Sequence, residues 1–179
     1  LIPFIKAGAK VLGVDYGQEM VMMGKEKNIP MIQGGIEKIS GKYDVIILNH
    51  VLEHSLNPIK TLKTLTNHLS SESIIYLGVP NILNFSFAQL QNAHTYSFTI
   101  DTLKAICEHA YLEPIKMGAA QKIHIFGIFK ITDKSKEYNV DSGQIVLNSI
   151  LKFKRNQKIK RILRSLRIEK IITSIYRRF

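Results

Sequence analysis

Apolar and polar positions alternate along the first 132 residues in a way that predicts strands separated by helices. Leu1 to Ala7 reads as the end of a helix. The run Lys10-Val11-Leu12-Gly13-Val14-Asp15 is a short apolar strand that ends in an acid. Gln18 to Lys27 carries Met20, Val21 and Met23 at helical spacing, closed by Asn28, and Ile29 to Gln33 is a second short strand cut off by Gly34-Gly35. Tyr43 to Leu48 is apolar after Asp44, the pattern of a strand covered on both faces. Asn57-Pro58 starts a helix, since Asn can accept from free amides and Pro at the first helical position gives up no bond. Ile59, Leu62, Leu65, Thr66 and Leu69 follow at helical spacing. Ser73 to Val79 is a strand ended by Pro80, and Thr99 to Tyr111 a helix with Leu103, Ile106, Cys107 and Ala110 as its buried stripe. Leu112 to Met117 and Ile123 to Thr132 are two strands in succession, joined by a short link containing Gly118.

Strands alternating with helices predict an α/β fold with a mostly parallel sheet and helices on both faces. Two successive strands at the end predict an antiparallel last strand. The expected organisation is a domain over 1–132, a polar linker over 133–144 and a helical tail over 145–179.

Charge changes this picture only at the tail. The net charge is +11, but residues 140–179 hold 11 of the 25 Lys and Arg and only Asp141 and Glu169 of the 14 acids. Residues 1–139 are left with 14 basic and 12 acidic residues, too balanced for a nucleic-acid-binding face. In the tail, Ile159, Ile162, Leu163 and Leu166 alternate with Lys158, Lys160, Arg161, Arg164 and Arg167, and Ile168, Ile171, Ile172 and Ile175 extend the pattern. Such a basic amphipathic helix packs on its own domain or a second subunit, or lies on an anionic membrane surface. The single cysteine, Cys107, excludes an internal disulfide framework and fits a reducing, cytoplasmic setting. No apolar run reaches the roughly 18 residues of a membrane span. No histidine pair has metal-ligand spacing along the chain, so no metal is expected.

Three segments carry a resemblance. Val11-Leu12-Gly13-Val14-Asp15, then Gly34-Gly35-Ile36-Glu37, then Tyr43 through Asn49-His50-Val51-Leu52-Glu53-His54 to Pro58 resemble the class I S-adenosylmethionine-dependent methyltransferases. The type is that of ubiquinone-biosynthesis enzymes and enzymes of bacterial surface-carbohydrate clusters. Ala93-His94-Thr95-Tyr96-Ser97-Phe98-Thr99, with Ala110-Tyr111-Leu112 after the next helix, resembles the same branch. The resemblance covers residues 1–132 and implies a Rossmann-like sheet with S-adenosylmethionine as cofactor. It also implies that the family's first strand and glycine loop lie upstream of Leu1, so that the chain is a truncated form with little activity of its own.

In open parallel sheets, ligands bind at the carboxyl ends of the strands. By that rule Asp15 accepts from the cofactor ribose, or else caps the next helix, and Tyr16-Gly17 suits a close approach of backbone to ligand. Gly34, Gly35 and Ile36 lie by the adenine or form a simple turn; the family usually has an acid where Gly35 sits. The resemblance places Asn49, His50 and Val51 at the methionine end of the cofactor, and Glu53 and His54 at the rim. Methyl transfer to a hydroxyl needs a proton acceptor. His94, in the region of the family's acceptor lid, is the candidate base, its alternative being a ring packed against Tyr96 and Phe98. His68, His109 and His124 are expected to lie away from the ligand edge. The expected acceptor is a small molecule, a lipid-linked intermediate or a glycan. An NAD-dependent oxidoreductase, for which Asp15 would also serve, and a non-catalytic module with a membrane-associating tail are the competing readings.

Overall fold

A computed structural model of the chain describes residues 1–84, 93–120, 123–137 and 140–165. Its elements run α1 (Ile2–Lys6), β1 (Gly13–Asp15), α2 (Gln18–Glu26), β2 (Met31–Gln33), β3 (Val45–Asn49), α3 (Pro58–Thr66), β4 (Ile74–Pro80), α4 (Ile100–His109), β5 (Leu112–Ala120), β6 (His124–Ile131) and α5 (Gly143–Ser165). Single 3-10 turns follow β2 (Ile36–Lys38), β3 (Leu52–His54) and β4 (Ile82–Asn84).

The hydrogen-bonded strands form two ladders. β1 and β2 pair in parallel, and a four-stranded sheet has the order β3-β4-β6-β5. β3 and β4 are parallel, whereas β6 runs antiparallel to both β4 and β5. The architecture is therefore the expected Rossmann-like α/β fold with an antiparallel last strand and a C-terminal helix. Among the described residues no strand bridges β1 and β3.

The helix termini follow from local chemistry. The Asn57 side chain accepts from the Lys60 amide at 2.9 Å, with Pro58 in the first turn. Thr99 caps α4 through the Thr102 amide while the Thr102 hydroxyl accepts from the Thr99 amide, a reciprocal box that satisfies donors at both positions. Asn28 takes φ +57° after α2, a left-handed conformation that Asn tolerates better than most residues.

The core lies where α3 and α4 meet the four-stranded sheet. Leu52, Leu62, Leu65, Leu69, Ile75, Leu77, Val79, Leu103, Leu112, Ile125 and Phe129 are almost wholly buried there. Fully burying each such side chain contributes about 1.5–3 kcal/mol. Ile36 and Ile39, after β2, pack against this core as partly buried residues.

Three expectations are corrected. β3 is not covered on both faces, because Leu48 is buried while Val45 and Ile47 keep 43% and 41% of their surface exposed. Uniform apolarity records what a strand can cover, not whether a neighbour is present. Gly118 lies inside β5 opposite Phe126 rather than in the link, because the antiparallel ladder continues to Ala120. The segment after β6 is not a free linker throughout. Ser135 Oγ donates to the His109 carbonyl at 3.0 Å, and Lys136 pairs with Glu108 at 2.6 Å, which ties it to α4.

The described part of the tail is one helix. Its first half lies against the turn at 82–84, and the Ser149 hydroxyl donates to the Leu83 carbonyl. Val146, Ile150 and Phe153 are half-buried, while Leu147, Leu151, Ile159 and Ile162 are exposed. Leu166, Arg167, Ile168, Ile171, Ile172 and Ile175 lie outside the described residues.

Candidate functional site

The residues picked from sequence converge on the carboxyl ends of the parallel strands. Asp15 is the last residue of β1, and its Oδ1 accepts from the Gly17 amide at 2.7 Å. This bond is a local turn onto the residue before α2, which has no side-chain cap, and the carboxylate has a second oxygen to offer a ligand. Tyr16 is 73% exposed, and its carbonyl accepts from Gln33 Nε2 at 3.3 Å, which joins the ends of β1 and β2.

Gly34, Gly35 and Ile36 form the exit from β2. Gly35 is buried, and a Cβ added there would run into the Tyr16 hydroxyl and the Glu37 carboxylate. Both groups end exposed, flexible side chains and the backbone there is extended, so glycine gives a close approach that a larger residue would have to push aside. The Gly35 amide donates to Glu37 Oε1 at 2.9 Å. That bond is the main reason the Glu37 carboxyl titrates below the usual range, helped by its own amide, by Lys38 and by the Tyr16 hydroxyl. Glu37 holds an acid beside position 35, two residues further along, where the turn brings its carboxylate back to the Gly35 amide. Ile36 turns inward and is half-buried against the core.

Asn49 ends β3 opposite Gly78, where a Cβ on Gly78 would meet the Asn49 side-chain oxygen. His50 follows at φ +56°, left-handed and costly for a non-glycine residue, and its amide donates to the Gly78 carbonyl at 2.9 Å. This conformation turns the chain sharply away from the sheet. His50 Nδ1 donates to Glu53 Oε1 at 3.1 Å, across the turn that Leu52–His54 makes. Val51 between them stays exposed.

Glu53 is 1% exposed, and its Oε2 is buried without a hydrogen-bond partner. Beside it stand His54 and His94, whose rings meet edge to face with centroids 4.8 Å apart. His94 is held there by backbone. The Thr95 and Tyr96 amides donate to the Glu53 carbonyl at 2.9 and 3.2 Å, and the Thr95 hydroxyl donates to the Ser55 carbonyl at 2.9 Å. The rings of Tyr96 and Phe98 stack on each other with centroids 6.5 Å apart.

His124 was placed wrongly by sequence. β6 runs antiparallel, so its first residue lies where the parallel strands end, and the His124 ring meets the His50 ring edge to face at 4.8 Å. Its Nδ1 is buried without a hydrogen-bond partner. His68 and His109 are at other places, bonded through Nδ1 to the carbonyls of Gly41 and Lys136. The register of β6 on β4, with His124 opposite Pro80, puts the ring there.

Comparison with known proteins bears on the family and the fold. A family profile described as a methyltransferase domain matches residues 1–116. No curated protein sequence matches the chain. Among solved structures, the 1,6-didemethyltoxoflavin N1-methyltransferase of Burkholderia thailandensis, crystallised with S-adenosylhomocysteine, is 15% identical with a TM-score of 0.58. The match covers 74% of this chain but only 65% of that one. The CcbJ methyltransferase of Streptomyces caelestis is 13% identical with a TM-score of 0.62, over 73% of this chain and 78% of that one. The magnesium protoporphyrin IX methyltransferase of Synechocystis PCC 6803, also with bound S-adenosylhomocysteine, is 16% identical with a TM-score of 0.59, over 73% and 68%. These identities establish the fold, and the match over 1–116 establishes that the chain belongs to the methyltransferase-domain family.

Proposed function

We propose that the protein is an S-adenosylmethionine-dependent methyltransferase that transfers a methyl group to oxygen of a small-molecule, lipid-linked or glycan acceptor. The observation that carries the reading is the site at the strand ends, with Asp15 closing β1 while one of its oxygens is fixed by the Gly17 amide. A carboxylate held this way can accept from both hydroxyls of a ribose. Glu37, beside Gly35 and kept ionised by that amide, is suited to accept from the adenine amino group. Gly34, Ile36 and Tyr16 form the adenine and ribose surroundings, and Asn49, His50 and Val51 take the methionine end.

The methyl group passes from a sulfonium to the acceptor by displacement. The cofactor supplies the reactivity, and the protein aligns the acceptor and removes its proton. His94 is the base in this proposal. His50 is the second imidazole near the methionine end, with the buried Glu53 behind it. The open edges of β1 and β3 support a further parallel strand between them, carrying the glycine loop against the amino-acid part of the cofactor. The seven Lys and Arg of α5, with no acid among the described residues of that helix, support peripheral contact with an anionic membrane face on the cytoplasmic side.

Calorimetry of the full-length protein with S-adenosylmethionine and, separately, NAD tests the reading. Micromolar binding of S-adenosylmethionine, weakened at least tenfold in Asp15→Ala, is expected. Binding of NAD alone would overturn it in favour of an oxidoreductase, and binding of neither would favour a non-catalytic module.

A further inference from the structure

We infer that α5 and the rim of the site form one surface that lies on an anionic membrane, so that the methyl acceptor is a lipid-anchored molecule taken from the bilayer. The acceptor class rests on the methyltransferase reading, which left three classes open; the docking surface does not depend on it. α5 has two apolar sides. Val146, Ile150 and Phe153, spaced four and three residues apart, form the half-buried one. Leu147, Leu151 and Ile159 lie on another side and are exposed. The helix carries seven Lys and Arg and no acid among its described residues. Exposed leucine and isoleucine set among cations match a bilayer surface that is anionic outside and apolar within. A second copy of the chain offers no such match, because its own α5 repels and its residues 1–139 set 14 basic against 12 acidic residues. Nucleic acid would match the cations and leave the leucines in water.

The place where α5 is mounted brings the site into this surface. Its first half lies against the turn at 82–84, where the Ser149 hydroxyl donates to the Leu83 carbonyl. That turn leaves the carboxyl end of β4, the end of the sheet at which the site lies. The same turn is tied to the segment that carries His94. The Ile82 amide donates to the Phe98 carbonyl at 3.0 Å, and Asn81 pairs with Phe98 in an isolated parallel bridge. α5 is thus fixed on the acceptor side of the domain.

The rim at this end of the sheet is itself apolar and open. Leu56, two residues past His54, is 87% exposed, and Val51 and Tyr96 are exposed as well. The Tyr96 hydroxyl donates to the Leu56 carbonyl at 3.4 Å, so leucine and tyrosine stand together at the mouth. Tyrosine suits a membrane interface, where its ring is buried and its hydroxyl stays wet. Leu83, at the foot of α5, is exposed too. One exposed leucine is ordinary, but apolar side chains gathered around a site mouth and along the helix beside it mark an interaction surface. Docked in this way, the rim meets the headgroup layer. The hydroxyl of an anchored acceptor then reaches His94 while its lipid chain remains in the bilayer.

Docking is read without cofactor or turnover, by sedimenting the full-length protein with vesicles. Binding to vesicles of mixed phosphatidylglycerol and phosphatidylcholine should be about tenfold or more tighter than to phosphatidylcholine alone, and should weaken with added salt. The double substitution Leu147→Asp, Leu151→Asp should weaken it about tenfold. Both positions are exposed, so circular dichroism should be unchanged. Orientation is read from a fluorescent label on an introduced cysteine, since Cys107 is buried, with brominated lipid as the quencher. Labels on Leu56→Cys and Leu83→Cys should be quenched. A label on Glu72→Cys, just ahead of β4 at the other end of the sheet, should not. The docking surface is refuted by no binding to anionic vesicles, by binding that the double substitution leaves unchanged, or by tighter binding to duplex DNA. Self-association through α5 in place of vesicle binding refutes it too. Quenching at position 72 and not at 56 refutes the acceptor class, because the mouth then faces away from the lipid. Docking by a protein that takes up no S-adenosylmethionine would sink the methyltransferase reading, and with it the acceptor class alone.

Discussion

Single residues at the strand ends set the electrostatics of the site. The Glu37 carboxyl titrates low mainly because the Gly35 amide bonds its ionised form. A depressed folded-state value means that the unfolded chain takes up the proton more readily. The contribution of Glu37 is therefore present above the ordinary glutamate range and is lost as pH falls through it. An NMR titration should place its midpoint below that of an exposed glutamate. Gly35→Ala, by forcing Tyr16 and Glu37 apart, should bring the midpoint back up. Cys107 behaves in the opposite way. Burial pushes its thiol well above the usual value, with the Glu108 charge adding to the shift. Its stabilising effect is present at neutral pH and is lost as pH rises. The native thiol should react with a disulfide reagent only as fast as α4 opens, and adding denaturant should accelerate the reaction.

At the scale of elements, α3 and α4 depend on their caps and on the face they bury. Asn57→Ala removes the acceptor for the Lys60 amide and should cost about 1 kcal/mol in chemical denaturation, whereas Asn57→Ser should stay within a few tenths. Leu62→Ala leaves a cavity among Leu52, Leu65 and Leu103 and should cost about 2–5 kcal/mol. Equal losses at positions 57 and 62 would contradict the placement of Asn57 at the surface end of α3 and Leu62 in its interior.

For the whole molecule, the two ladders differ in support. Among the described residues, every member of the buried cluster comes from β3 onward, and Ile36 and Ile39, in the segment after β2, pack against it. Three paired residues in each of β1 and β2 bury little, so this unit should open first. Hydrogen exchange should show β1 and β2 amides losing protection well before those of β4 and β6.

The sequence by itself determined the order of elements, the cap at Asn57, the core stripe of α4 and the acid at the end of β1. These are properties of short windows, where periodicity and turn chemistry act within about ten residues. Sequence also pointed to the residues at the ends of the parallel strands, because these are visible as the ends of apolar runs. The tertiary structure alone decided which distant residues meet. It brought His94 to Glu53 and His54 across forty residues, and set His124 beside His50 because β6 runs backwards. Each of these depends on strand register or on hydrogen bonds between separate segments, and neither leaves a periodic trace in the chain.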